Sequence, residues 1–312
     1  MKKEVEKSKV IPKLFHFLLS EERKKKVEKF TLIIAIASYL IHLIIIFLNI
    51  QEVIDIEQKF FKNPIAAIYT PFSFILIFEV FLLVYYLPKS ITAYIGKQYE
   101  IITLIVIRKI FKDLSYVELN TNWFQNIDDL QFTLDVLTSL ILFFVIYLFY
   151  NTIRRREFIS INQPNEGGEN IRKFIQLKQL LAIILVPILF VFAAYSLINW
   201  GVIAFKDYSN GILEFSNINN VFFDEFFNIL IIVDVLLLLA SFFYSDKFHK
   251  IMRNSGFVIS TILVKISFSS VGIIGNILIV SSVIFGYLML IIHNLYEKNA
   301  APNKGSRDFC RE

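Results

Sequence analysis

Apolar residues run along this chain in blocks about as long as one bilayer crossing, separated by short polar stretches. Five blocks are plain: Phe30–Asn49, Ile65–Leu87, Leu130–Tyr150, Leu180–Asn199 and Phe222–Tyr244. A spanning helix needs roughly 20 mostly apolar residues, so each block predicts one. A sixth block, Gly256–Ile292, would make a helix about 55 Å long, far too long for a single crossing. Ser267, Ser269, Ser270, Gly272 and Gly275 interrupt its middle, which predicts two helices broken there. The segment Ile91–Leu114 is weaker. Its apolar run is short, Ile101–Ile107, and it carries Lys97, Glu100, Arg108, Lys109 and Lys112.

Composition agrees with a membrane class. The 312 residues are 56% hydrophobic and only 19% charged, with a mean hydropathy of +0.60. A soluble domain is about 25% charged, and a chain this apolar cannot stay solvated as a disordered one. The single cysteine, Cys310, excludes a disulfide scaffold.

The distribution of charge decides how the weak segment is read. If Ile91–Leu114 crosses, then 25 of the 32 lysines and arginines fall in segments 1–29, 88–98, 151–179, 245–255 and 293–312. Only Lys59, Lys62 and Lys206 fall in the segments between, 50–64, 113–129 and 200–221. If it does not cross, Arg154, Arg155 and Arg156 lie on the opposite face. The positive-inside rule therefore favours eight spanning helices with both termini cytoplasmic. The alternative for Ile91–Leu114 is an amphipathic helix on the membrane surface. A bacterial inner membrane is the expected location.

The first 29 residues do not read as a signal peptide, because no small-residue cleavage site follows Val10–Leu19. Ser20-Glu21-Glu22 reads as a helix cap with first-turn acids. Leu14, Phe15, Phe17 and Leu18 suggest an interfacial helix beside anionic headgroups, although the basic residues equally serve as topology signals. Pro164, Gly167 and Gly168 mark a linker between two halves. The layout is thus an N-terminal interfacial segment (1–29), a four-helix membrane unit (30–151), a cytoplasmic linker (152–179), a second four-helix unit (180–294) and a disordered tail (295–312).

The two units resemble each other. Phe74–Val84 reads FILIFEVFLLV and Ile229–Leu239 reads ILIIVDVLLLL, so Glu79 falls on Asp234. Tyr99–Phe111 reads YEIITLIVIRKIF and Gly256–Phe268 reads GFVISTILVKISF, so Arg108 falls on Lys265. Ionisable residues inside spans are rare, which makes these recurrences more telling than the apolar matches. An even number of helices per unit gives parallel repeats, related by an axis along the membrane normal. The fold class read here is all-α: a polytopic membrane protein of about eight helices in two tandem four-helix repeats.

Counting helix rise from the cytoplasmic ends puts each acid at the depth of the base on the next helix, about 12–15 Å in. Two intramembrane pairs are predicted, Glu79–Arg108 and Asp234–Lys265. Such pairs either line a path for an ion or proton or fasten the second helix to the third. Weaker polar candidates are His42, which can titrate near neutral pH, Asp135, close to the outer end of its helix and open to solvent, and Asn276, an interhelical hydrogen-bond residue. Pro187 predicts a kink. Trp123, Phe124 and Trp200 suit an outer aromatic belt, and Asp128, Asp129, Asp224 and Glu225 make the outer mouth acidic.

An acid deep in the second helix, a short basic turn and a midplane ionisable group in the third helix resemble voltage-sensor-like four-helix membrane bundles. The resemblance covers about 40 residues of each half. It departs in the fourth helix: Leu130–Tyr150 and Gly272–Ile292 have no arginine ladder, and there is no pore-loop motif. The third helix also carries a base where that family has an acid. The resemblance therefore implies a bundle with paired buried charges, and not voltage sensing.

Catalytic signatures are lacking. His16, His42, His249 and His293 form no HExxH spacing, and there is no Walker A or GxSxG motif. The loops are too short for a soluble catalytic domain. The expectation is a non-enzymatic protein with no metal or cofactor and no nucleic-acid partner. Its partners are then the bilayer with its anionic headgroups, and further copies of itself or other membrane subunits.

Overall fold

A computed structural model describes residues 12–54, 64, 66–114, 127–160, 169–206, 216–244, 247–270 and 272–300. The described residues form eight long helices and no strand. They are α1 (Glu21–Ile50), α2 (Tyr69–Tyr86), α3 (Ile91–Leu114), α4 (Ile127–Ser160), α5 (Glu169–Lys206), α6 (Ser216–Tyr244), α7 (Phe248–Ser269) and α8 (Ile273–Ala300). Residues 12–18 are also helical and precede α1. Six of the eight, all but α2 and α3, are long and apolar enough to cross a membrane.

Local chemistry explains several boundaries. Ser20 caps α1: its Oγ accepts from the Arg23 N–H at 3.3 Å, and Glu21 and Glu22 follow in the first turn. A hydroxyl cap and early acids satisfy and complement the positive end of a helix. The long sixth block breaks where expected. α7 ends at Ser269, Ser270 is extended, and Gly272 has φ +70°, a backbone state that favours glycine. Pro187 lies inside α5, which continues on both sides of it. Helix also occupies most of the expected linker, because α4 runs to Ser160 and α5 starts at Glu169.

Within each half, sequential helices pack together: α1 on α2, α2 on α3, α3 on α4, then α5 on α6, α6 on α7 and α7 on α8. The halves meet through α4 on α8, α3 on α7 and α2 on α5. α3 packs against α2, α4 and α7 and buries Tyr94, Ile95, Gln98, Tyr99, Ile102 and Arg108.

The distribution of polarity is inverted relative to a soluble protein. Phe30 (66% exposed), Leu140 (65%), Phe190 (75%) and Phe243 (85%) face outward, while Glu79, Gln98, Arg108, Asp135 and Asp234 are buried. α1 shows it most simply, burying only Ala35, His42 and Ile46 along one stripe. Exposed apolar surface on this scale marks contact with a membrane or with other proteins. These long apolar helices are compatible with an integral membrane protein.

Candidate functional site

Most of the buried ionisable residues singled out by the sequence fall into three groups. The first joins α2 to α3. Arg108 Nη2 donates to Glu79 Oε2 at 2.8 Å, and both side chains are almost completely buried. Phe72 stacks on Phe111 with ring centroids 5.2 Å apart, bracing the same two helices. Sequence spacing anticipated this pair.

The second group does not match its expectation. Asp234 and Lys265 are not paired. Lys265 Nζ donates to Asn228 Oδ1, also on α6. Asp234 instead accepts from Gln98 Nε2 of α3 at 3.0 Å, and Thr261 Oγ1 of α7 donates to Gln98 Oε1 at 3.0 Å. The reason is axial as well as rotational: α7 starts at Phe248, eight residues before Gly256, so Lys265 lies about 25 Å along it, level with Asn228 on α6 and about 9 Å beyond Asp234. Asn228 and Asp234 are six residues apart, which is about 120° around an α-helix. Asn228 lies on the face that meets Lys265, and Asp234 on the face that meets α3. A depth counted from Gly256 sets Lys265 too shallow, and the choice of face is not in the linear pattern at all.

Asp234 borders a cavity of about 20 Å³ shared with Tyr94, Asn254 and Phe257, among aliphatic side chains. That is room for about one water. The polar seam continues next to it. Tyr99 Oη and Ser260 Oγ lie 2.8 Å apart, and Ser260 Oγ donates to the Ser282 carbonyl at 2.7 Å. The seam is possible because α8 presents Gly286 to the Tyr99 hydroxyl, where a Cβ would collide.

The third group corrects the reading of Asp135. It is 0% exposed, not open to solvent. Its Oδ1 accepts from Gln131 Nε2 at 2.8 Å and from Asn276 Nδ2 of α8 at 2.7 Å. Lys109 Nζ of α3 lies 2.9 Å from Oδ2. Two candidates read as separate, Asp135 and Asn276, therefore belong to one cluster across three helices. His42 is buried, with Nδ1 2.5 Å from Thr70 Oγ1, and links α1 to α2.

Sequence reasoning missed a further cluster, because residues 245–255 were expected to be loop. α7 already starts at Phe248, so Arg253 enters the bundle. Arg253 Nη1 lies 3.1 Å from His293 Nε2, and its Nε and Nη2 donate to Asn254 Oδ1 at 3.2 and 3.0 Å. His293 Nδ1 is 3.1 Å from the His249 carbonyl, so His293 donates there and accepts from Arg253. The readable signal was the short polar gap before Phe248, too short to hold a loop of eleven residues. Lys178 was also missed. It is buried and donates to the Lys89 carbonyl at 2.7 Å.

Trp123, Phe124 and the side chains of Asp128, Trp200, Asp224 and Glu225 lie outside the described residues. Asp129 is described and is buried. Among the described residues no group of His, Cys, Asp and Glu is arranged to hold a metal ion. No family model, no curated protein and no solved structure matches this chain.

Proposed function

We propose that this is a multi-pass membrane protein that moves a proton or small cation, with Asp234 as the site the charge occupies. One observation carries the reading. The Asp234 carboxyl is buried between α3, α6 and α7, is held by an amide, and has no basic side chain among its described partners. A buried acid without a base needs a counter-charge or a proton. The water-sized cavity beside it supports the same reading. Glu79 differs, because Arg108 already neutralises it, and its role is to fasten α2 to α3.

In this reading all eight helices cross, with both termini on the cytoplasmic side of a bacterial inner membrane. The halves 30–151 and 180–294 are parallel repeats. The contacts of α3 with α7 and of α4 with α8 support this, since each joins equivalent helices. The repeats have diverged in their polar residues, with Glu79–Arg108 in one and Asp234–Gln98 and Lys265–Asn228 in the other. The protein is taken to be non-enzymatic.

A second reading is a non-conducting assembly subunit, working as a homo-oligomer or beside other membrane subunits. It is favoured by the Glu79–Arg108 pair and by Asp135, which Gln131, Asn276 and Lys109 hold between helices. Proteoliposomes separate the two. Imposed proton and potassium gradients should dissipate with wild type and be retained with Asp234→Asn. No flux from correctly inserted wild type under either gradient would sink the translocation reading.

A further inference from the structure

Three lysines converge on one pair of tyrosine rings at the end of α2. Lys89 Nζ lies 4.4 Å from the ring centres of both Tyr85 and Tyr86. Lys97 Nζ, from α3, is 5.2 Å from Tyr86. Lys24 Nζ, from α1, is 5.3 Å from Tyr85 and 6.0 Å from Tyr86. Three ammonium groups are thus drawn from α1, α3 and the turn between α2 and α3 to one spot, against their mutual repulsion. Ring faces offset part of that repulsion. Two carboxylates offset more: Glu100 pairs with Lys97, while Glu21 accepts from Tyr85 Oη at 2.5 Å and lies 3.9 Å from Lys24. No described carboxylate pairs with Lys89, so the cluster keeps one positive charge in excess.

We propose that this cluster binds the phosphate of an anionic membrane lipid. The site is built on fixed parts. Tyr85 is 6% exposed, and the backbone of Lys89 is held from α5 by Lys178. It also lies where headgroups lie. The apolar run of α1 begins at Phe30, six residues or about 9 Å beyond Lys24, and that of α2 ends at Leu87, just before Lys89. Phe30 and Ile33 face outward from α1, on the side where acyl chains run. Arg23, stacked 4.8 Å over Phe17, adds positive charge to the same boundary. This position favours a lipid over free phosphate. The inference rests on the membrane reading above and is independent of translocation.

The test is binding of phosphatidylglycerol and of phosphatidylcholine to the purified full chain in neutral detergent, read by native mass spectrometry. Phosphatidylglycerol should bind in preference. A surface lysine near a headgroup is worth about fivefold in affinity, so Lys89→Gln with Lys97→Gln should weaken it roughly 25-fold. Lys26→Gln with Lys298→Gln, exposed and with no ring contact to Tyr85 or Tyr86, should leave it unchanged. If the first pair does not fold, Lys24→Gln should give about a fivefold loss. Equal binding of both lipids, an equal loss from the Lys26 and Lys298 pair, or displacement of the lipid by millimolar inorganic phosphate would overturn the proposal. A protein that binds the lipid selectively yet moves no ion leaves this site standing while the translocation reading fails.

Discussion

Gln98 on α3 donates to Asp234 on α6 at 3.0 Å, across 136 residues of sequence. This bond joins the two halves through their buried polar interior. Gln98 is satisfied on both sides, since its oxygen accepts from Thr261. A buried carboxyl that loses its donor keeps the full desolvation cost, about 1–3 kcal/mol. Gln98→Leu should therefore lower unfolding free energy in detergent by that amount. Thr261→Val leaves the Asp234 bond in place and should cost only about 1 kcal/mol. A larger loss from Thr261→Val than from Gln98→Leu would show that Asp234 does not depend on the amide.

The Glu79–Arg108 pair should behave as a fastener. Arg108→Met alone leaves an uncompensated buried acid and should cost about 3–5 kcal/mol. Glu79→Leu with Arg108→Met removes both charges and should restore most of that stability. Denaturant midpoints of the three proteins in detergent provide the check. A double variant as unstable as Arg108→Met would mean the pair does more than hold helices.

Lys265 should couple to Asn228 and not to Asp234. A double-mutant cycle of Asn228→Leu with Lys265→Met should show an interaction of about 0.5–3 kcal/mol, the range for residues in direct contact. The parallel cycle of Asp234→Asn with Lys265→Met should be additive within about 0.5 kcal/mol. The reverse result would restore the pairing suggested by depth alone.

Gly286 has no room for a side chain. Gly286→Ala drives a methyl into the Tyr99 hydroxyl, whose position is set by Ser260. Overpacking of this kind costs about 1–3 kcal/mol. Tyr99→Phe in the same chain should recover part of the loss by removing the colliding oxygen. Melting temperatures of the single and double variants measure it, and a fully stable Gly286→Ala would place α3 and α8 further apart.

Linear patterns were sufficient for features that depend on distance along the chain. Block lengths marked the helices, and α3 occupies Ile91–Leu114 as expected. The serine and glycine cluster marked the break before Ile273, and Ser20 marked the start of α1, because caps and breaks act within a few residues of their cause. An acid and a base recurring on adjacent helices marked Glu79 and Arg108 as partners. What lay beyond reach was rotation and long-range cover. Asp234 lies about 9 Å and 120° from Asn228 and so meets the other half, while Lys265 sits a turn deeper than expected because α7 starts at Phe248. Asp135 looked solvated near a helix end, and it is closed over by Asn276 of α8 and Lys109 of α3. Rise per residue is a property of one helix and can be counted. Which face is buried, and by whom, is a property of several helices packed together, and that is settled only when α3, α4, α6, α7 and α8 have met.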